Sequence, residues 1–584
     1  MKQDKQTITI FTPEGEQMIH DQGSSIPWSD YPRPQLMRQS YLCLNGEWEF
    51  GISTDHSPCY DERILVPFVP ESVLSGIGRR TPRGARLCYR RGFSLPCGFC
   101  RDRVLLHFGA VDQVARVTLN GTRLGEHRGG YDAFSFDITP YLQEKNTLEV
   151  VVTDTLGDGI LPYGKQKHNR GGMWYTPVSG IWQTVWLESV PATYVTQLHV
   201  TADTEGATVC AETNAPACPD GTLVLHLPSG DRTLPFQGGR VRITVDDPIL
   251  WSPETPHLYR FTLCVGEDSI SSYFALRTLD VRQINGKARL CLNGRPYFFH
   301  GLLDQGYFSD GIFLPASPEG YVRDIEAAKH MGFTMLRKHI KVEPSLFYYA
   351  CDRLGMTVFQ DMVNNGHYSF IRDTALPTVG LKRRSDRRMH RDEASRKAFL
   401  DGMASTVRQL AHHPSVCAYT IFNEGWGQFD HEHAYTVLRG LDSTRFIDSV
   451  SGWFTPRKGI THSDVESLHV YFKPVRIKPA HKPVFLSEFG GYVLKIDGHS
   501  FSPGKPYGYR FFDSSKALTE AIDTLYRSEV IPAVSEGLCG SVYTQLSDVE
   551  DETNGLLTYD RQVLKVDEER MRSIAMALQQ AIKE

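Results

Sequence analysis

Two short stretches decide the fold: Ser415-Val-Cys-Ala-Tyr-Thr-Ile-Phe-Asn-Glu424 and Pro483-Val-Phe-Leu-Ser-Glu488-Phe-Gly490. Each is an apolar run rich in β-branched and aromatic residues that arrives at a glutamate. Runs of that composition read as strands buried on both faces. Strands covered on both sides belong to a parallel sheet flanked by helices. In a (β/α)₈ barrel, a polar side chain at the C-terminal end of such a strand is a candidate for chemistry.

Working outward, the surrounding chain alternates between helical and strand periods. Tyr321, Ile325 and Ala328 are spaced as one helix face over Glu319–Met331, and Gly332 stops that helix. Further helices are expected over Pro344–Leu354, Ser395–Ala411 and Glu568–Ile582. Eight strands are expected between them: Tyr297–Gly301, Thr334–Arg337, Thr357–Asp361, Val416–Phe422, Phe446–Val450, Ser467–Tyr471, Val484–Ser487 and Gly540–Gln545. On this count Glu424 ends strand four and Glu488 ends strand seven. Helix–glycine–strand alternation predicts a C-terminal (β/α)₈ TIM barrel over 281–584.

The N-terminal part reads differently. Alternating runs such as Val104-Leu-Leu-His-Phe, Ala115-Arg-Val-Thr-Leu and Leu148-Glu-Val-Val-Val are separated by Asn120-Gly121 and Gly129-Gly130 turns. Residues 1–190 are therefore expected to form a sandwich or jelly roll. Residues 191–280 stay β-like but are more polar, and their length suits one immunoglobulin-like sandwich.

Composition excludes several functions. With 63 basic and 68 acidic residues the net charge is −5, so nothing drives the chain toward nucleic acid. No run reaches the ~18 apolar residues of a membrane span. Met1–Ile10 has no apolar signal core, so the expected location is cytoplasmic. The twelve cysteines follow no framework and are expected to be free thiols. Cys97-Gly-Phe-Cys100 is a lone pair without a partner motif. His412-His413 and His431-Glu432-His433 have metal-like spacing, but the first pair precedes Pro414 and strand four and the second opens a helix without a third ligand, so no metal is expected.

Taken together, the motifs resemble glycoside hydrolase family 2. Ile421-Phe-Asn-Glu-Gly-Trp426 and Val484-Phe-Leu-Ser-Glu-Phe-Gly490 are similar to its two catalytic segments. Leu44-Asn-Gly-Glu-Trp-Glu-Phe50, Val66-Pro-Phe-Val-Pro-Glu-Ser72, Tyr89-Arg-Arg-Gly-Phe93, Val117-Thr-Leu-Asn-Gly121, Gly180-Ile-Trp-Gln-Thr-Val-Trp186 and Leu250–Tyr259 follow in the family's order. The resemblance implies a jelly-roll sugar-binding-like domain, an immunoglobulin-like domain and a barrel, in that order. It implies an exo-acting retaining β-glycosidase that takes an oligosaccharide or glycoside and needs no cofactor. A divalent metal near the pocket is known among relatives but is not demanded here, and homo-oligomers are common in the family.

By that resemblance Glu424 would be the acid/base and Glu488 the nucleophile. Such a pair needs one carboxylic acid to protonate the leaving oxygen and one carboxylate to attack the anomeric carbon. Glu424 must then be held protonated by burial or by the charge on Glu488. Asn423 would hydrogen-bond the sugar 2-hydroxyl. Arg337 would orient the nucleophile, and His339 would sit near the pocket. Tyr471 would contact the nucleophile, with His469 on the same strand a weaker candidate. Gln545 and Asp548 are expected at the end of strand eight, where relatives often carry a tryptophan platform that is missing here. Trp426 is read two ways, stacked on substrate or packed under its loop.

The sugar is less legible. There is no Asn-x-Lys motif after Asn554, as glucuronidases of the family carry, and no Arg-His-Glu after strand one, as in well-known β-galactosidases. The first expectation is a β-galactoside. The alternative is a β-uronide recognised by the basic loop 382–391, which is also readable as a solvated loop balanced by Asp386, Asp392 and Glu393, or as a subunit contact. The alternative of another class is a non-catalytic carbohydrate-binding protein.

Overall fold

The alternating runs of the first third fold as antiparallel sheets. In the computed structural model, which describes all residues except 1–8, 22–24, 55–56, 157, 377–380, 382–384, 453–459, 479, 503 and 505, they form a sandwich. One sheet orders Glu62–Val66, Gly46–Ser53, Arg86–Phe93, Asn146–Thr153, Val114–Leu119 and Thr122–Arg128. The facing sheet orders Tyr41–Cys43, Val185–Val190, Arg103–Phe108 and Phe134–Asp137. Inward positions supply a core of Trp48, Phe50, Tyr89, Leu106, Phe108, Val117 and Val150. The Asn120-Gly121 hairpin has φ of 51° and 78°, the left-handed pair that a two-residue turn requires and that this dipeptide tolerates.

A second, smaller sandwich follows. Sheets of three strands (Val195–Ala202, Gly206–Thr213, Arg240–Thr244) and four strands (Arg232–Phe236, Gly221–His226, Tyr259–Val265, Asp268–Phe274) enclose their own apolar core. His412 and His413 tie this sandwich to the barrel. His413 Nδ1 lies 2.7 Å from Asp352, which also accepts from Tyr273, and His412 Nε2 lies 2.8 Å from the Tyr273 carbonyl. Their metal-like spacing is thus a buried polar joint.

The barrel has eight parallel strands: β1 (Phe299–Asp304), β2 (Met335–Lys338), β3 (Thr357–Asp361), β4 (Val416–Asn423), β5 (Phe446–Ser451), β6 (Glu466–Val470), β7 (Val484–Gly490) and β8 (Leu538–Thr544). Their order is β5-β4-β3-β2-β1-β8-β7-β6. Among the described residues, ladder hydrogen bonds stop between β5 and β6. Side chains close that seam: Ser467 donates to Asp448, and the His469 ring meets Ser451 Oγ at 3.1 Å. The expected helices form over Glu319–His330, Ser345–Leu354, Glu393–Leu410 and Glu568–Ala581. Strand ends shift by up to three residues, and Tyr471 and Gln545 lie one position beyond β6 and β8.

The cysteines other than Cys59 are free thiols. Among the described residues no helix is long and apolar enough to cross a membrane. Lys382, Arg383 and Arg384 of the basic loop, and residues 1–8 of the N-terminal run, lie outside the described residues.

Candidate active site

Glu424 follows the last residue of β4, and its backbone nitrogen donates to Ser451 of β5 at 2.9 Å. Its φ is 49°, a left-handed conformation rare for a residue with a Cβ. Such strain costs about 1–3 kcal/mol and persists where neighbours over-determine the backbone. Glu488 is placed by another device. On β7 one extra residue intervenes between the pairs Leu468↔Leu486 and His469↔Glu488. A bulge there re-aims a side chain that strict alternation would send elsewhere.

The two glutamates meet at the barrel mouth. One oxygen of each, with a ring nitrogen of His469, lies within 4.8 Å of the others. His469 Nδ1 is 3.0 Å from Glu424 Oε1 and 3.5 Å from Glu488 Oε2, so the imidazole spans both carboxylates. Gly452 leaves room for that ring: a Cβ there would come within 2.8 Å of it.

Arg337, at β2, is the hub. Its guanidinium donates to Glu488 Oε1 (3.0 Å), Asp361 Oδ1 (2.9 Å), Asn423 Oδ1 (3.0 Å) and the Ser487 carbonyl (3.0 Å). One buried cation therefore links β2, β3, β4 and β7. Tyr471 donates to Glu488 Oε2 at 2.6 Å and stacks on Tyr509, with centroids 4.0 Å apart. Burial pushes the Glu488 carboxyl up, but the charges of His469 and Arg337 outweigh it and hold the group well below the usual carboxylate range. His339 Nδ1 lies 2.6 Å from Asp361 Oδ2; burial, with the nearby charge of Lys165, holds that imidazole down at about 4.

Several expectations change. Asp548 is not an open carboxylate of the site. It is buried in an ion pair with Lys565 at 2.6 Å and accepts from the Gly555 nitrogen. Gln545 is locked among Gln305, Asn554 and Glu552. Of the two readings of Trp426, packing holds: it is 2% exposed and stacks on Trp174 at 5.2 Å, with Tyr368 at its edge. In the basic loop, Arg387 pairs with Glu432 and Asp430. The counter-charges foreseen for that loop are used otherwise. Asp386 takes His431 and Gln428, and Asp392 caps the helix Glu393–Leu410.

Other residues of the site escaped the sequence reading. Asp361 is one. The others come from the segment 154–179, between two strands of the N-terminal sandwich. Tyr163 and Gly164 dock on the Asn364 carbonyl just past β3. Tyr175 donates to Glu552, and Trp174 covers Trp426. Lys165, 7% exposed, sets its Nζ 5.5 Å from the Tyr175 ring and 5.6 Å from that of Trp426. The only signal in sequence was the density of basic and aromatic residues in Lys165–Tyr175.

Chemically, the arrangement offers two carboxylates bridged by an imidazole, Glu424 partly buried and Glu488 buried beside an arginine that keeps it charged. Glu424, His469 and Glu488 also form a donor set suited to a divalent ion. The Arg337 guanidinium already supplies Glu488 with positive charge.

Three family models match consecutive parts of the chain. Residues 83–172 match the glycosyl hydrolase 2 galactose-binding domain-like model, 193–277 the glycosyl hydrolases family 2 model, and 284–504 the glycosyl hydrolases family 2 TIM barrel domain. The chain belongs to glycoside hydrolase family 2. Among its relatives, the β-galactosidase of Priestia megaterium is 23% identical over 516 residues, covering 82% of this chain and 46% of the relative. The chain spans less than two thirds of the length of curated relatives that it matches, from 34% to 62%. A solved β-glucuronidase of an uncultured Clostridium sp. superposes with a TM-score of 0.73 at 20% identity, covering 93% of this chain and 99% of that one. The family 2 β-galacturonidase of Eisenbergiella tayi, solved bound to galacturonate, gives 0.68 at 19%, covering 93% and 98%. These structures share the fold.

Proposed function

We propose that this family 2 chain is an exo-acting retaining β-glycosidase, with Glu488 as nucleophile and Glu424 as acid/base. The observation that carries the reading is the approach of the two carboxylates, oxygen to oxygen within 4.8 Å. Retaining enzymes set the groups about 5–5.5 Å apart, whereas inverting ones leave about 6.5–9.5 Å for a water. Glu488, kept ionised by Arg337 and oriented by Tyr471, attacks the anomeric carbon. Glu424 gives its proton to the departing oxygen. Once Glu488 is esterified its charge is gone, and Glu424 accepts a proton from the water that releases the sugar. Asn423, held by Arg337, is set to meet the 2-hydroxyl.

A panel of nitrophenyl β-glycosides followed by NMR tests this. The expected first product is the β-anomer. An α-anomer, or no hydrolysis of any sugar by folded protein, overturns the reading and, in the second case, favours a carbohydrate-binding role.

For the sugar itself, a β-galactoside is supported by the name of the Priestia relative. A β-uronide is the second reading, favoured by the buried Lys165 at the barrel mouth and by the uronidases among proteins of this fold.

A further inference from the structure

Lys165 is out of place for a buried cation. It is more than nine-tenths buried, yet among the described residues its Nζ has no carboxylate within ion-pair distance and no hydrogen bond. Leaving an ammonium out of water without a partner is costly, so such groups are paired or await an anion. Two aromatic faces, Tyr175 and Trp426, supply weak compensation only. Glu552, whose carboxyl feels the lysine's charge, is engaged by Tyr175 and Gln545.

Its position is that of a reader of substrate. Gly164 fixes the backbone, since even a Cβ there would come within 2.8 Å of the Ile340 carbonyl, next to His339. The charge of Lys165 is felt by His339 and by Glu552, and both of these also feel Glu488. The lysine therefore stands beside the nucleophile's surroundings, between residues that follow β2, β4 and β8. His339, kept neutral, does not compete for an anion.

We propose that Lys165, from the N-terminal sandwich, binds the carboxylate of a terminal β-uronide and sets the substrate class of the site. This rests on the retaining-glycosidase reading above. It replaces the missing Asn-x-Lys lysine with a cation brought in by another domain, and it gives the basic loop no part.

The test compares wild type with Lys165→Gln, Lys165→Met and Lys165→Arg on nitrophenyl β-glucuronide, β-galacturonide and β-galactoside. The expected result is a uronide-to-galactoside ratio of kcat/KM that falls about 100-fold in the Gln and Met variants, mainly through KM, with partial rescue by Arg. An unchanged ratio overturns the proposal, as does a wild type that prefers the galactoside. A second measurement stands apart from catalysis. Free galacturonate or glucuronate should raise the Tm of wild type but not of Lys165→Gln, and galactose should raise neither selectively. A uronate shift that survives in Lys165→Gln, or a larger shift with galactose 6-sulfate, overturns the carboxylate assignment. If folded protein hydrolyses nothing while the uronate shift depends on Lys165, the catalytic reading fails and this one stands.

Discussion

At the residue scale, the site is governed by how charge is held on Glu488. Its folded carboxyl lies below the ordinary value because Arg337 and His469 offset the cost of burial. The proposed nucleophile is then ionised at every pH above the usual carboxylate range. Glu488→Gln should lower kcat by about 10⁴-fold or more, measured on an activated aryl glycoside; retention of activity would remove Glu488 from the role. Tyr471→Phe deletes one of its hydrogen bonds and should cost roughly tenfold in kcat/KM. Arg337→Met leaves four acceptors without their cation. Removing one partner of such a buried pair costs about 3–5 kcal/mol of stability. The same change raises the Glu488 carboxyl, so the acid limb of kcat/KM should move to higher pH. An unmoved limb would show that Arg337 is only structural. Glu424 and Glu488 were legible in sequence because strand-end carboxylates leave a signature in the preceding apolar run. His469 was legible only as a weaker candidate on the strand of Tyr471, because its value lies in reaching two carboxylates at once.

At the element scale, the barrel is uneven. Seven strand pairs share ladder hydrogen bonds, while β5 and β6 are joined by Ser467–Asp448 and Ser451–His469 contacts. Among the described residues, the β5 amides of Ile447 and Ser449 donate to the side chains of Asp464 and Ser463 rather than to a strand, and elements with few strand-to-strand backbone bonds open first. Hydrogen exchange measured by mass spectrometry should be faster along Phe446–Ser451 and Glu466–Val470 than along β2 and β3. Equal protection around the barrel would contradict this. Periodicity located each of these strands, because burial on both faces writes a continuous apolar run. It did not reveal the seam, since a strand's composition does not record whether its neighbour's register matches. The segment 154–179 offered little more, a density of basic and aromatic residues in Lys165–Tyr175. Its residues acquire meaning from the ends of β2, β3, β4 and β8 on which they dock.

At the scale of the whole molecule, acid sensitivity is spread over all three parts. Burial pushes His107 of the first sandwich, His300 of β1 and His412 of the sandwich–barrel joint down to about 3. For such groups the unfolded chain binds the proton first. Stability is full above the free-histidine range near ~6.5 and is lost as pH falls toward 3, by up to about 1.4 kcal/mol per pH unit for each ring. The Tm should therefore drop steadily from pH 7 to pH 5, and His300→Leu should flatten the slope. His300 is the cleanest probe, because both its ring nitrogens are buried without a hydrogen-bond partner among the described residues while the ring stacks on Phe333 at 4.2 Å. A flat Tm profile would sink the idea. The same division between local and assembled information runs through the protein. Sequence alone determined the order of architectures and the two glutamates, because period, turn residues and strand-end polarity are written within a few neighbouring positions. Tertiary structure decided that Asp548 belongs to Lys565, that Trp426 belongs to Trp174, and that a lysine from the first sandwich stands at the mouth of the barrel. Those facts depend on contacts between residues tens to hundreds of positions apart, and no local pattern encodes which distant side chain will satisfy a buried charge.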